Sequence, residues 1–157
     1  MNIIKYILTI ASLLLLTACG GGSDSTGTGI TAAATTMKLT VAINGSNASS
    51  VKGIQATITV PDGVSIKADA EGKITEGVIT GSATAPTGNI DGKYTAIDKK
   101  VTLGFTTDGT ITEGDLATMT IDFTTATAPA ATAFTITSSK LVDADGNAVS
   151  GVSLALR

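Results

Sequence analysis

The chain has 157 residues with no histidine, no tryptophan and one cysteine, and its ten basic and thirteen acidic side chains give a net charge of −3. The lack of histidine excludes histidine-activated nucleophiles and histidine metal ligands. No basic excess is available for a nucleic-acid partner, and one cysteine cannot form an internal disulfide.

The first 18 residues have the three-part plan of a secretory signal peptide. Lys5 supplies a positive start, residues 7–16 form an apolar run, and small residues follow up to Cys19. The run is about half of the roughly 20 residues that cross a bilayer. We therefore predict a signal peptide over residues 1–18. The alternatives are an ordinary signal peptide without lipidation and an uncleaved helix with a chance cysteine.

The end of this segment, Leu16-Thr17-Ala18-Cys19, resembles the lipobox of bacterial lipoproteins. The resemblance implies that lipid is attached to the Cys19 thiol, that cleavage leaves Cys19 as the first residue, and that the covalent lipid anchors the chain to a membrane. An aspartate after the cysteine would resemble an inner-membrane retention signal, whereas this chain has Gly20. The predicted location is therefore extracytoplasmic, at the outer membrane or the cell surface.

Residues 19–37 are predicted to be the lipidated cysteine and a flexible tether. The stretch 20–36 reads GGGSDSTGTGITAAATT, and such side chains bury too little apolar surface to fold. Its 17 residues reach about 55 Å when extended and about 23 Å as a coil. We expect the tether to let a folded domain stand off the membrane and turn.

Residues 38–157 are predicted to form a single all-β domain, a β-sandwich of the jelly-roll type. Threonine, valine and isoleucine, which suit strands, are frequent there. Apolar and polar residues alternate at period two, as in strands with one buried and one solvated face. The apolar positions are Leu39, Val41 and Ile43; Ile54, Ala56, Ile58 and Val60; Val101, Leu103 and Phe105; Met119, Ile121 and Phe123; Phe134 and Ile136; and Val152, Leu154 and Leu156.

Turn signals separate these segments. An Asp, Asn or Glu followed by Gly recurs between them, and glycine supplies the positive φ that such turns require. No segment has a useful helical period, and many short strands at this spacing favour two packed sheets. The turn pairs are Asn44-Gly45, Asp62-Gly63, Glu71-Gly72, Asp91-Gly92, Asp108-Gly109, Glu113-Gly114 and Asp145-Gly146.

The order of four segments resembles the cohesin family and the sandwich superfamily that cohesins share with certain carbohydrate-binding modules. The segments are the strand and turn over 51–64, the short strand at 92–94 leading into 99–107, the strand GDLATMTIDF at 114–123, and the hairpin at 141–147 before a last strand. The likeness covers about residues 38–156. It implies a cohesin-like sandwich that binds a protein, with a dockerin as the family's partner. The turn VPDG at 60–63 departs from the family's commoner Tyr-Asp-Pro.

The chain is predicted not to be an enzyme. No serine lies in a Gly-x-Ser-x-Gly turn, and no glycine-rich stretch has the spacing of a phosphate loop. Paired carboxylates can hydrolyse glycosides, but each pair here lies in or beside a glycine-rich turn, which favours a role in turn formation. The pairs are Asp69 with Glu71, Glu113 with Asp115, and Asp143 with Asp145.

Asp143, Asp145 and Asn147 are the candidate calcium ligands, because alternate carboxylate and amide oxygens on a tight turn suit a hard cation. The EF-hand and dockerin loops place glycine sixth and an acid twelfth. Here Gly146 is fourth when counted from Asp143, and Leu154 is twelfth. A β-turn is therefore favoured, and no cofactor besides the covalent lipid is predicted.

Aromatic residues are scarce outside the signal peptide: Tyr94, Phe105, Phe123 and Phe134. The three phenylalanines are in phase with core aliphatics and are predicted to be buried. Tyr94 is the one ring that could stack on a sugar, and it suits the core equally well. Carbohydrate binding is therefore disfavoured, although the superfamily resemblance keeps it open.

We expect a membrane-anchored protein that displays a protein-interaction domain. Cohesins bind their partner on one sheet face, and alternation together with the resemblance assigns six outward residues to that face. The alternative for these residues is a solvated, threonine-rich sheet. The alternative function is a structural, self-associating component of the envelope or matrix, because open sheet edges favour association. The predicted face comprises Lys67, Asp69, Thr95, Thr102, Thr135 and Thr137.

Overall fold

The computed structural model describes residues 35–82 and 88–157. These ranges hold nine strands and two short 3₁₀ turns, at Ala48–Ser50 and Ala131–Ala133. The predicted signal peptide, Cys19 and most of the tether lie outside the described residues. The strands are β1 Thr35–Asn44, β2 Gly53–Thr59, β3 Val64–Ser65, β4 Ile79–Gly81, β5 Gly88–Thr95, β6 Lys100–Thr107, β7 Gly114–Phe123, β8 Thr135–Val142 and β9 Ser153–Leu156.

The strands form two antiparallel sheets, which confirms the predicted all-β sandwich. A five-stranded sheet has the order β3-β7-β1-β9, and β4 pairs with β7 next to β3. A four-stranded sheet has the order β5-β6-β2-β8. In the described ranges, no helix has the length and apolarity that crossing a bilayer requires.

The core lies between the sheets and includes most of the residues that alternation assigns to the inner faces. Leu39 of β1, Ile58 of β2, Val101 of β6 and Ile121 of β7 are all fully buried. Truncation of such a side chain to alanine costs about 2–5 kcal/mol. Because the outward neighbours of these residues are polar, only one register buries the apolar set.

One predicted turn, Asp91-Gly92, is instead part of β5. A Cβ at position 92 would lie 2.7 Å from Cδ1 of Ile74 and 2.6 Å from Cδ1 of Ile79. Two isoleucine side chains pack against the backbone here, and both would have to shift to admit a larger residue. The prediction was wrong since the same dipeptide serves a turn in one place and close packing in another.

Two element boundaries also differ from the sequence pattern. β1 begins at Thr35, three residues before the predicted start of the domain, because Thr35 and Thr36 pair with Phe123 and Asp122 of β7. β8 extends to Val142 although alternation ends near Thr137. A register shift in its pairing with β2 interrupts the period-two pattern there.

The two ends of the sandwich differ in what they carry. The tether end is where β1 begins, at Thr35, and where the chain from β2 crosses to β3. The β5–β6 turn reaches the same end, since Thr59 pairs with Lys100. The far end carries the turn at 143–147 that follows β8.

Candidate binding face

The outer face of the four-stranded sheet presents its side chains in four cross-strand rows. The residues buried on β2 and β6 point into the core, so their neighbours along the strands point outward. Pairing between the strands aligns these outward residues. In the order β5, β6, β2, β8, the rows are Asn89, Thr106, Gly53, Val142; Asp91, Gly104, Gln55, Lys140; Lys93, Thr102, Thr57, Ser138; and Thr95, Lys100, Thr59, Thr135.

Three of the six predicted face residues, Thr95, Thr102 and Thr135, lie in these rows. Thr137 is exposed beside them at the register shift of β8, and its hydroxyl donates to the Thr57 carbonyl at 3.3 Å. The structure therefore brings four of the predicted residues onto one surface.

Lys67 and Asp69 lie beyond the edge of β5, in a segment joined to that strand by the bridge between Lys73 and Lys93. Their place on a partner-binding face stays a prediction. They belong to a small hairpin in which the Thr75 amide donates to the Lys67 carbonyl at 3.0 Å. The chain turns back here because β3 ends at Ser65 after only two residues.

Two glycines leave part of the face without side chains. A Cβ at Gly53 would lie 2.9 Å from Cγ2 of Val142, so a larger residue there would require the Val142 side chain to shift. At Gly104 a Cβ would meet no atom of the rest of the fold within 4 Å, and the register of β6 is regular on both sides. A strand-interior glycine without a bulge is typical of a place where another molecule approaches the backbone.

Open clefts adjoin these glycines. One of about 300 Å³ is lined by Gln55, Asp91, Gly104 and Lys140 among others. A larger one of about 810 Å³ extends from Gly53 to the far end and is lined partly by acidic and amide side chains. The face is therefore a shallow, hydrogen-bonding surface rather than an enclosed pocket.

The charge of this face is opposite to that of the chain. Lys93, Lys100 and Lys140 lie on it with Asp91, a net charge of +2, whereas the chain as a whole carries −3. Complementary charge steers association, so the four-stranded sheet suits an acidic partner surface.

The candidate calcium ligand Asp143 is engaged by its own turn. Its Oδ1 accepts the backbone amides of Asp145 at 3.0 Å and Asn147 at 2.9 Å. Its Oδ2 accepts the Asn147 side-chain amide at 3.4 Å. Within residues 35–82 and 88–157, no group of three or more His, Cys, Asp or Glu side chains is arranged to hold a metal ion.

Carboxylates of the candidate pairs accept hydrogen bonds in turns, and one of them forms an ion pair. Asp69 accepts the amides of Glu71 and Lys73 at 3.1 and 2.8 Å. Asp115 forms an ion pair with Arg157 at 3.2 Å. These contacts give the carboxylates structural roles in the described fold.

Tyr94 faces the core and not a sugar site. Its ring is half-buried against the apolar cluster, and its hydroxyl donates to the Val64 carbonyl at 3.4 Å. Burial raises the pKa of the Tyr94 phenol above its ordinary value. Phe105, Phe123 and Phe134 are buried, as predicted. No aromatic side chain in the described ranges is exposed as a stacking platform.

Comparison of the chain with protein-family models, with curated proteins and with solved structures gave no match. The resemblance to cohesins therefore stays a prediction from sequence motifs.

Sequence reasoning missed the bare patch around Gly104. The available signal was a glycine in the alternating strand Val101, Leu103, Phe105, where a β-branched residue would favour the strand. Its meaning depends on what surrounds it in space. Only the pairing of four strands shows that Gly104 lies between Asp91 and Gln55.

Proposed function

We propose that this chain is a lipid-anchored, extracytoplasmic binding protein that holds a protein partner on the outer face of its four-stranded sheet. The observation that carries the proposal is the bare patch at Gly104, flanked by Asp91, Gln55 and Lys140. Nothing within the described fold demands glycine at this position. A partner group seated against the strand accounts for it.

A protein partner fits the face better than a sugar does. Hydroxyl, amide and ammonium groups are spread in rows across four strands, and they match the donors and acceptors of a polypeptide surface. Stacking on sugars needs exposed rings, and the described aromatic side chains pack inward. The lipid at Cys19, implied by the lipobox-like motif, would hold this face outside the cell.

Face variants test the docking surface once a partner has been captured from secreted and envelope extracts. Gly104→Arg fills the bare patch and Thr102→Arg enlarges an adjacent position. We expect each to weaken binding by about tenfold or more, measured by calorimetry or surface plasmon resonance. Thr120→Arg is the matched control, since Thr120 is a half-exposed threonine on the outer face of the other sheet. Equal losses in all three variants would contradict the proposal.

The anchor is tested separately by metabolic labelling with a fatty-acid analogue. The wild-type chain is expected to take up label, and Cys19→Ser is expected to lose it. Label retained by Cys19→Ser would show that acylation does not occur at this cysteine.

Self-association is the second candidate function, favoured by the open edge of β8. The Val142 carbonyl accepts a hydrogen bond from the Lys52 amide, on the side of β8 that faces β2. The Leu141 carbonyl accepts one from the Val149 amide, on the opposite side of the strand. Backbone groups alternate along a strand, so those of Ser139 point away from β2. If copies associate through this edge, Ser139→Pro will abolish concentration-dependent oligomers in sedimentation velocity without breaking the β2 ladder. Oligomers that persist in Ser139→Pro would exclude this edge.

A further inference from the structure

The tether end of the sandwich carries an apolar side chain that the fold leaves uncovered. Ile97 is 95% exposed, and it is the one large hydrophobic side chain in the described ranges that is exposed in this way. It lies at the tip of the turn between β5 and β6. Nothing in the fold gains from isoleucine at this position.

The turn that presents Ile97 is held in place. The Lys99 amide donates to the Ala96 carbonyl at 3.3 Å, and the Val60 amide donates to the Lys99 carbonyl at 2.9 Å. The Lys99 ammonium also forms an ion pair with Asp62. Ile97 therefore projects from a turn that is fastened to the β2–β3 connection.

The same end receives the chain from the predicted lipid anchor. β1 begins at Thr35, whose Cα partner is Phe123. Phe123 also pairs with Val64, which follows the Asp62 loop in the chain. The start of β1, the Asp62 loop and the Ile97 turn thus share the tether end.

We infer that the tether end docks on the lipid surface that anchors the chain, with Ile97 inserted at the boundary between headgroups and acyl chains. This inference rests on the lipid anchor of the proposed function. Fifteen residues separate Cys19 from Thr35. A coil of that length averages about 21 Å, which is less than the roughly 34 Å spanned by a ten-residue strand. The tether end is therefore the end held nearest to the membrane.

In a tethered chain, a modest apolar contact is sufficient to favour the docked orientation. Burying one isoleucine favours the docked orientation by roughly tenfold, and the tether replaces bimolecular binding by an intramolecular step at high effective concentration. Lys99 is neutralised by Asp62, and Asp98 offsets Lys100 along the turn. The contact is therefore apolar in origin and insensitive to salt.

Docking in this orientation points the strands away from the membrane. The outer face of the four-stranded sheet then lies parallel to the membrane normal and is accessible to a partner. The cleft at Gly53 lies toward the far end, away from the lipid.

A single introduced tryptophan tests the contact, since the chain has none of its own. Ile97→Trp places it at the tether end, and Ala144→Trp is the matched control in an exposed turn at the far end. The chain 19–157 contains every described strand, and the described residues all belong to one compact unit. Cys19, the only cysteine, couples it to maleimide lipid in phosphatidylethanolamine and phosphatidylglycerol vesicles, so the test does not depend on natural acylation.

We expect the tryptophan emission of Ile97→Trp to shift to shorter wavelength and to be quenched by brominated lipid, while the emission of Ala144→Trp does neither. Quenching in Ile97→Trp should persist when salt is raised. Equal emission from the two variants would overturn the docking inference, and so would quenching that salt abolishes. Failure of the anchor itself is read separately, as loss of fatty-acid label in cells.

Discussion

Two turns of this protein are built from nearly the same five residues in the same way. Residues 69–73 read DAEGK and residues 143–147 read DADGN. In each turn, the first aspartate accepts hydrogen bonds from the backbone amides of the residues two and four positions later. Gly72 and Gly146 have φ of 84° and 83°. Local sequence alone is enough to specify this turn.

The turns differ in what surrounds them. The 69–73 turn lies against β5, where the Tyr94 amide donates to the Gly72 carbonyl at 2.7 Å. A Cβ at Gly72 would lie 2.6 Å from the Tyr94 carbonyl oxygen, whereas a Cβ at Gly146 would meet nothing within 4 Å. The same local structure is therefore a packed element in one place and a free surface turn in the other.

The glycine substitutions should separate the two turns most strongly. Gly146→Ala should lower the free energy of unfolding only by the cost of placing alanine at a positive φ, about 1 kcal/mol. Gly72→Ala adds a clash with backbone that cannot move without breaking the contact with β5, and we expect a loss of about 3 kcal/mol. Urea unfolding of both variants measures the difference. Equal midpoints would mean that the packing of the 69–73 turn has no energetic consequence.

The aspartate substitutions should show how alike the turns are. Asp69→Ala and Asp143→Ala each remove the acceptor of two backbone amides, and we expect a loss of about 1 kcal/mol for each. Calcium should not change the unfolding midpoint of the wild type, because Asp143 is engaged by its own turn. A midpoint that rises with calcium in the wild type but not in Asp143→Ala would restore the calcium site.

The smallest expected effect is the pH dependence of stability that arises from Tyr94, the residue whose backbone pairs with the 69–73 turn. Burial raises the pKa of the folded Tyr94 phenol above the unfolded value of about 10. Below that value both states are neutral and stability is unaffected. As pH rises above it, the unfolded state ionises first, so stability falls. The difference between wild type and Tyr94→Phe, followed by unfolding from about pH 9 to about pH 11, isolates this group; parallel curves would contradict the assignment.

Most of the fold was accessible from the sequence because period-two alternation is a local signal. Most inner positions of β1, β2, β6 and β7 were predicted, and the buried phenylalanines followed from the same phase. Ala42 was predicted to face outward, but it is buried because the pairing of β1 with β7 shifts register after Val41. The short strands β3 and β4 were not predicted, since two or three residues carry no period. They are strands because β7 offers them an edge.

The candidate face was accessible only in part. Alternation placed Thr95, Thr102 and Thr135 outward, and the structure puts them on one sheet. It could not show that Lys67 and Asp69 lie on a hairpin that is bridged to β5 at the edge of this sheet. It also could not distinguish the three roles of glycine at Gly72, Gly92 and Gly104, because each depends on atoms distant in the chain.

The sequence by itself determined the strand class, the inner faces of the long strands and the form of the two Asp-Ala turns, because each depends on neighbours within a few residues. Only the tertiary structure decided which strands share a sheet, that Gly104 lies bare between polar side chains, and that Ile97 stands at the end where β1 begins. These features arise from pairing between residues far apart in the chain, on which a local period carries no information.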